Sequence, residues 1–329
     1  MYLIHGLTIL GFTMAVTTTY VLPPQIQQSL NYKLLLVPTP DFIHSVAADR
    51  KNMPANGGEI LRLSRYNKLQ PAMVPLSKSG VTPAAQVLTR LDLDVTMKFY
   101  GTYVTVNEQT QLQNQNNILN QAAARLGVSL RQTEDQLLRD CLASTAAAVN
   151  CVSGISADNP TEITRKDIND ITTLLITANA FTITDGIEGE NRFGSSPVRN
   201  SFLALCNSAL IPDLENINGM INNWNYPSNA RAIDGEWCSV TNLRFLISSI
   251  GSVSLKDSAM GQDVFNIFCM GLQSYASVYQ DEYSTQFVYL PPAYSGPLAL
   301  NATVGYKMAT APKVTNDQWL LKMRATLSL

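Results

Sequence analysis

Asp92 and Asp94, two residues apart, come closer than any other residues in this 329-residue chain to a general acid–base pair. They lie in a run from Arg90 to Phe99 that alternates polar and apolar residues. In a strand, that alternation turns both carboxylates to one face. Arg90 and Lys98 share the face, so ion pairing along an exposed ladder competes with catalysis for the two acids. A hydrolase working through Asp92 and Asp94 therefore stands as an alternative reading.

The remaining inventory is thinner. His5 and His44 are the only histidines, too few for a zinc hydrolase or His-driven acid–base chemistry. His44 lies among Phe42, Ile43 and Val46, a setting for packing or a hydrogen bond. The cysteines are Cys141, Cys151, Cys206, Cys238 and Cys269. Their odd number, with no C-x-x-C, indicates neither a disulfide framework nor a zinc knuckle; free buried thiols in a reducing compartment are expected. Glu188 and Glu190 flank Gly189 near Arg192 and read as a solvated turn. Asn301-Ala302-Thr303 fits a glycosylation acceptor but has no secretory context. None of G-x-S-x-G, H-E-x-x-H, G-x-x-x-x-G-K-[ST] or G-x-G-x-x-G occurs. No catalytic, cofactor-binding or metal residue is assigned, and no cofactor is expected.

Composition narrows the class. Hydrophobic residues make up 46% of the chain, enough for a packed core, whereas charged residues reach only 15% against about 25% in an average soluble domain. A surface so poor in charge suits a protein that covers itself with other subunits. The net charge of −2 offers no basic field for nucleic acid. Residues 1–32 contain no Lys, Arg, Asp or Glu. Met1 to Val21 lacks the positive start of a signal peptide and is broken by threonines. A secreted binding module, with residues 1–22 as its signal, is the other alternative. Met14 offers a second possible translation start. Pro23-Pro24 and the polar Gln25–Ser29 stretch read as an extended arm, and no run approaches the roughly 20 apolar residues of a membrane span.

Residues 55–106 read as a long two-stranded excursion. Asn56-Gly57-Gly58 signals a turn, and Leu61 and Leu63 alternate with Ile60, Arg62 and Ser64. On the return strand Leu91, Leu93, Val95, Met97 and Phe99 share one face, opposite Arg90, Asp92, Asp94, Thr96 and Lys98. The tip, residues 67–86, holds Lys68, Pro71, Pro75, Lys78, Gly80 and Pro83 and cannot bury itself. Residues 107–148 form one helix on the line Leu119, Ala122, Leu126, Leu130, Leu137, Cys141, with Arg125, Arg131, Glu134 and Arg139 mostly off it. Thr164-Arg165-Lys166-Asp167 is a capping-box pattern before Ile168, Ile171 and Leu175. Gly186 to Pro197 is loop, Ser201–Cys206 a buried strand, and Pro212-Asp213-Leu214 opens a helical turn. Trp237–Ser248 is strand. Tyr275, Tyr279 and Tyr283, four apart, would line a helical face. Ala302–Ala311 and Gln318–Ala325 form a hairpin around Asn316-Asp317.

This order of parts resembles the major capsid proteins of tailed bacteriophages, with the Hong Kong 97-type fold, and most closely the branch typified by the coliphage N-four capsid protein. The run from Met53 to Tyr66 (MPANGGEILRLSRY) resembles the opening of that family's extended loop, and Gly80-Val81-Thr82-Pro83 its tip. Tyr100-Gly101-Thr102-Tyr103-Val104 resembles the exit into the spine helix. Ser201–Cys206 with Asp213-Leu214, and Thr303–Lys307 with Asp317–Leu320, resemble the axial strand and the closing hairpin. The likeness runs from about residue 40 to the C-terminus; Gly186–Pro197 and Asn222–Pro227 follow no family pattern.

The resemblance implies an α+β fold divided into an N-terminal arm (1–54), an extended loop (55–106), a peripheral domain with the spine helix (107–160), an axial domain (161–285) and a return to the peripheral domain (286–329). It implies a non-enzymatic subunit that self-assembles into hexamers and pentamers of an icosahedral head around double-stranded DNA, without sequence-specific binding or a membrane. Scaffold, portal and cement proteins would be its other partners. The virion would be its place, after assembly in the host cytoplasm.

Overall fold

A computed structural model describes residues 16–17, 39–54, 57–73, 85–113, 118–183, 201–226, 233, 235–281, 285–292 and 300–328. Within these, the first strands are β1 (Val16–Thr17), β2 (Asp49–Met53), β3 (Ile60–Tyr66), β4 (Arg90–Thr96) and β5 (Lys98–Asn107). Helices α1 (Glu108–Gln113) and α2 (Ile118–Thr145), strand β6 (Ala147–Asn150) and helix α3 (Arg165–Thr177) follow. Then come β7 (Phe202–Asn207), α4 (Ile211–Glu215), β8 (Met220–Asn222), β9 (Glu236–Val240), β10 (Leu243–Ser248) and β11 (Val253–Ser254). The chain closes with β12 (Val264–Met270), β13 (Tyr275–Gln280), β14 (Gln286–Leu290), β15 (Asn301–Val314) and β16 (Leu320–Ala325). It divides into two compact units. One takes Met1–Pro38, Tyr100–Leu130 and Thr285–Met308; the other takes Thr39–Phe99, Arg131–Ser284 and Ala309–Leu329.

The larger unit is built on a mixed sheet in the order β6-β16-β12-β7-β10-β9-β8, with β11 on β12. Strand β7 shows why it is central. Phe202, Ala204 and Cys206 enter one apolar cluster and Leu203 and Leu205 another, the pattern of a strand covered on both faces. Helix α3 covers the first face with Ile168, Ile171 and Leu175. The second half of α2 covers the other with Leu138 and Leu142. The start of α3 is fixed as the sequence predicts: Thr164 caps the Asp167 N–H, and the Asp167 carboxylate accepts from the Thr164 N–H at 3.2 Å, satisfying two otherwise orphaned donors.

In the same unit β2, β13 and the end of β15 form a smaller sheet, with β2 parallel to β13. Among the described residues, strands β3 and β4 pair only with each other, from Ile60 opposite Thr96 to Tyr66 opposite Arg90. The smaller unit pairs β14 with the first half of β15 and β1 with β5. Gly101 and Gly305 let β5 and β15 approach: a Cβ on Gly305 would lie 2.8 Å from that of Tyr103, and one on Gly101 2.6 Å from the Tyr306 carbonyl.

Five expectations are corrected. The helix expected over 107–148 is two helices among the described residues, and Ala147 and Ala148 belong to a strand parallel to β16. Residues 114–117, between α1 and α2, lie outside the described ones. The buried line of α2 runs through Leu126, Leu130, Leu138 and Leu142, not Leu137 and Cys141. The shift has a cause at Asp135, fully buried against His44.

Trp237–Ser248 is two antiparallel strands, joined where Thr241 takes φ 52°. Tyr275 and Tyr279 lie on strand β13, where residues four apart share a face just as they do on a helix; Tyr283 falls outside the described residues. Lastly, β15 and β16 form no hairpin. β15 pairs with β13 and β14, and β16 with β12 and β6. Asn316 does cap a turn, accepting from the Gln318 N–H, but that turn carries the chain from one sheet to another.

Gly127 lies inside α2 with nothing within 4 Å of a Cβ placed on it. Gly127→Ala is therefore expected to stabilise the subunit by about 0.5–1 kcal/mol, read as a higher denaturation midpoint. A destabilised variant would mean that this turn is not helical in solution.

Candidate interaction surface

The β3–β4 ribbon holds Asp92 and Asp94, and neither is free. Arg62, directly opposite Asp94, donates from Nε to its Oδ1 at 2.7 Å and from Nη2 to its Oδ2 at 3.0 Å. Arg90 forms the same two-pronged contact with Asp92, at 2.5 and 3.1 Å. Arg90 is the partner expected from the sequence. Arg62 replaces Lys98 as the other, because cross-strand pairing brings it opposite Asp94. The hydrogen bond from Arg62 holds the Asp94 carboxyl below the usual range, and the same bond raises Arg62. Each carboxylate so engaged has both oxygens held by one guanidinium.

The sign of the pH effect follows from that direction. A depressed carboxyl favours the folded pairing above its ordinary pKa and loses it as pH falls through the depressed value. Asp94 is expected to titrate below an ordinary aspartate in an NMR pH series, and Arg62→Gln should return it to the usual range. An unshifted Asp94 in the parent chain would remove the ladder.

The other sequence candidates also turn inward. His44 is buried, with Nδ1 2.7 Å from Asp135 Oδ2, and the Ser45 N–H donates to Asp135 Oδ1 at 3.1 Å. All five cysteines are free. Cys141 is half-buried and the others are buried, so the expectation of buried thiols holds for four. Burial pushes the Cys206 thiol well up and those of Cys238 and Cys269 to about 12, which leaves little thiolate at neutral pH. His5, Glu188, Glu190, Arg192 and Lys78 lie outside the described residues. Among those described, no three His, Cys, Asp or Glu side chains converge as a metal site requires, and no helix is long and apolar enough to cross a membrane.

A cleft of about 290 Å³ opens beside the start of α3, lined in part by Glu162, Arg165, Asp213 and Asn218. Its acids are engaged as well. Glu162 accepts from the Ser156 N–H at 3.1 Å, and Asp213 from the Ser328 N–H at 3.1 Å.

The ribbon's second face is different in kind. Leu61, Leu63, Leu91, Leu93 and Val95 share it, with Arg65 opposite Leu91. At its base Val95 is buried with Met53, Met97 and Val278, and Leu61 and Leu63 pack on that cluster. Outward the cover runs out: Leu91 is 46% exposed and Val87 81%. Pairing nevertheless continues past the strands. The Asn67 N–H donates to Thr89 O at 2.9 Å, and beyond it the Gln86 side-chain amide clasps the Gln70 backbone, accepting from its N–H and donating to its carbonyl, each at 2.9 Å. From residue 59 to residue 67 this is about 26 Å of paired chain at 3.3 Å per residue. Residues 74–84 of the expected tip, Gly80–Pro83 among them, lie outside the described part. Both the alternation and the tip composition are legible in the residues themselves; how far the base buries depends on contacts with Val278 of β13 and Ala309 and Ala311 of β15 that no local pattern announces.

No protein-family model matches the sequence, and no curated protein matches it. Solved structures do. The capsid of Ralstonia phage GP4 superposes with a TM-score of 0.69 at 12% identity, covering 98% of this chain and 99% of that one. The capsid of cyanophage Pam1 gives 0.64 at 14%, covering 97% and 99%. A weaker likeness, 0.51 at 9% identity with 84% of each chain covered, joins it to the SrpI encapsulin complex of Synechococcus elongatus. Over nearly its whole length the chain has the mixed α+β, Hong Kong 97-type fold of bacteriophage capsid proteins.

Proposed function

We propose that this chain is the major capsid protein of a tailed phage, a subunit that self-assembles into the hexamers and pentamers of an icosahedral head enclosing double-stranded DNA. The observation that carries the reading is the end-to-end correspondence with the Ralstonia phage GP4 capsid, 98% of one chain against 99% of the other. The encapsulin likeness covers less of both chains, which favours the phage head over other shells. The five-part division into arm, extended loop, peripheral domain, axial domain and return belongs to this proposal, with α2 as the spine helix. So does the placement nearest the coliphage N-four branch, which rests on Met53–Tyr66 and Tyr100–Val104.

The mechanism is mechanical. The ribbon reaches out with an apolar face its own subunit does not cover, and a neighbouring subunit covers it. Each such contact is weak, and repetition around a closed shell makes them collectively strong. The low charge fits a surface destined to become interface, whose buried core is depleted of charged residues. A mildly acidic chain also avoids gripping packaged DNA, since phosphate binding scales with the number of Lys and Arg contacts. Scaffold, portal and cement proteins, assembly in the host cytoplasm and residence in the virion complete the proposal. No chemical turnover is part of it; the arginine-bound Asp92 and Asp94 support that reading over the hydrolase.

Sizing the purified chain and reading its N-terminus tests this. Megadalton closed particles in sedimentation and negative-stain images are the expected result. A compact monomer or dimer that never assembles, even with a co-expressed scaffold, would overturn it. A mature N-terminus near residue 23 would instead point to secretion.

A further inference from the structure

Two Asn-Gly pairs occur in the chain, Asn56-Gly57 and Asn218-Gly219, and the structure treats their glycine amides differently. The Gly57 N–H donates to Pro54 O at 3.2 Å. Gly219 sits in the exposed turn between α4 and β8 at φ 87°, and among the described residues its N–H donates to no acceptor. The turn is held on both sides, by Ile217 N–H to Leu214 O and by Met220 N–H to Ile217 O, each 3.2 Å. Against the peptide between Asn218 and Gly219 lies a cation. Arg165 Nη1 donates to the Asn218 carbonyl oxygen at 3.1 Å, and a Cβ on Gly219 would stand 2.8 Å from that nitrogen.

We infer that Asn218-Gly219 is a self-modifying turn in which Arg165 promotes the spontaneous conversion of Asn218 to aspartate or isoaspartate in the folded subunit. Hydroxide removes the Gly219 N–H proton, and the negative charge spreads onto the Asn218 carbonyl oxygen. That oxygen is the atom Arg165 already contacts, so the guanidinium stabilises charge where it develops. The Gly219 nitrogen then attacks Asn218 Cγ. A C–N bond forms, the Cγ–Nδ2 bond breaks, and Nδ2 leaves as ammonia with a proton from water. Water opens the resulting cyclic imide at either carbonyl. Water is consumed, ammonia is released, and nothing is oxidised or reduced. When water opens the imide at the former main-chain carbonyl, the isoaspartate carboxylate carries the oxygen that Arg165 contacts. Glu162 and Asp213 line the same cleft and oppose an anion there, but each is engaged by Ser156 or Ser328.

The test incubates the full chain, folded and in denaturant, at mildly alkaline pH and follows both Asn-Gly pairs by peptide mapping with isoaspartate detection. In the folded chain Asn218 is expected to convert faster than Asn56, and the advantage should vanish on denaturation. Arg165→Ala should slow Asn218 by about tenfold, the rate equivalent of one charge-assisted hydrogen bond to the developing anion. Arg165→Lys, which keeps a cation on the exposed first turn of α3, should recover part of the loss. A folded Asn218 no faster than Asn56, or an Arg165→Ala chain that converts as fast or faster, would overturn the inference.

Discussion

Replacing Glu236 by Gln is expected to cost the subunit about 3–5 kcal/mol, the penalty for leaving a buried charge without its counter-ion. Glu236 and Arg244 are both buried, and they meet through two bonds: Arg244 Nε to Oε1 at 2.7 Å and Nη2 to Oε2 at 2.5 Å. The same carboxylate accepts from the Tyr226 hydroxyl at 2.6 Å and from the Ile233 N–H at 2.8 Å. Burial, aided by that carboxylate, pushes the Tyr226 hydroxyl up to about 12, so it remains a donor.

The pairing depends on one irregularity. Val240, Cys238, Leu243 and Phe245 all face the α3 side of the sheet. Regular pairing would bring Glu236 to that side too. Instead the register slips between Phe245 and Leu246, which sets Glu236 opposite Leu246 and leaves Trp237 as the extra residue. A one-residue slip turns a side chain to the other face, here the α2 side, where Arg244 waits.

Chemical denaturation of the isolated subunit measures the loss. The double variant Glu236→Met/Arg244→Met removes both charges and should recover part of it, since a buried pair gains little over apolar residues of similar volume while the Ile233 N–H and Tyr226 hydroxyl lose their acceptor. Equal stability of Glu236→Gln and the parent would show that water reaches Arg244.

That bulge marks where sequence reading stops. Strand β7 was legible because both its faces are apolar, and the start of α3 because Thr164 and Asp167 carry their chemistry within one turn. Strand β4 was legible because polar and apolar residues alternate without a break. The bulge at Trp237 has no such signature: an inserted residue looks like any other until both strands are in register. Asp135 carries no local signal for a related reason: its burial is sustained by His44 and the Ser45 N–H, 91 and 90 residues away. At Asn316 the local reading of a turn was right, and the sheets it connects were a property of the whole fold. For the interaction surface, the alternation from Arg90 to Phe99 showed that one face would be apolar. Which part of it stays uncovered was set by where β13 and β15 end.

The uncovered part decides the second large effect. Val87→Glu/Leu91→Glu places two carboxylates on the outer reach of the apolar face, at positions 81% and 46% exposed. Substitutions at such positions usually change subunit stability by about 0.5 kcal/mol or less, so circular dichroism and the denaturation midpoint should match the parent. Assembly should fail. Every subunit loses the same contact at once; a carboxylate at 87 enters the interface without a partner, which costs far more than the apolar contact it displaces, while one at 91 has Arg65 opposite it. Val95→Glu supplies the contrast four residues further in: Val95 is buried in the subunit's own core, so this variant should unfold before assembly can be asked of it. Sedimentation separates shells from free subunits in each case. If the doubly charged ribbon still closes shells of parental yield and stability, it is decoration; if the isolated subunit unfolds as Val95→Glu does, its outer face belongs to its own core. Folded subunits that no longer close shells would make the ribbon's outer face a surface that one copy lends to the next.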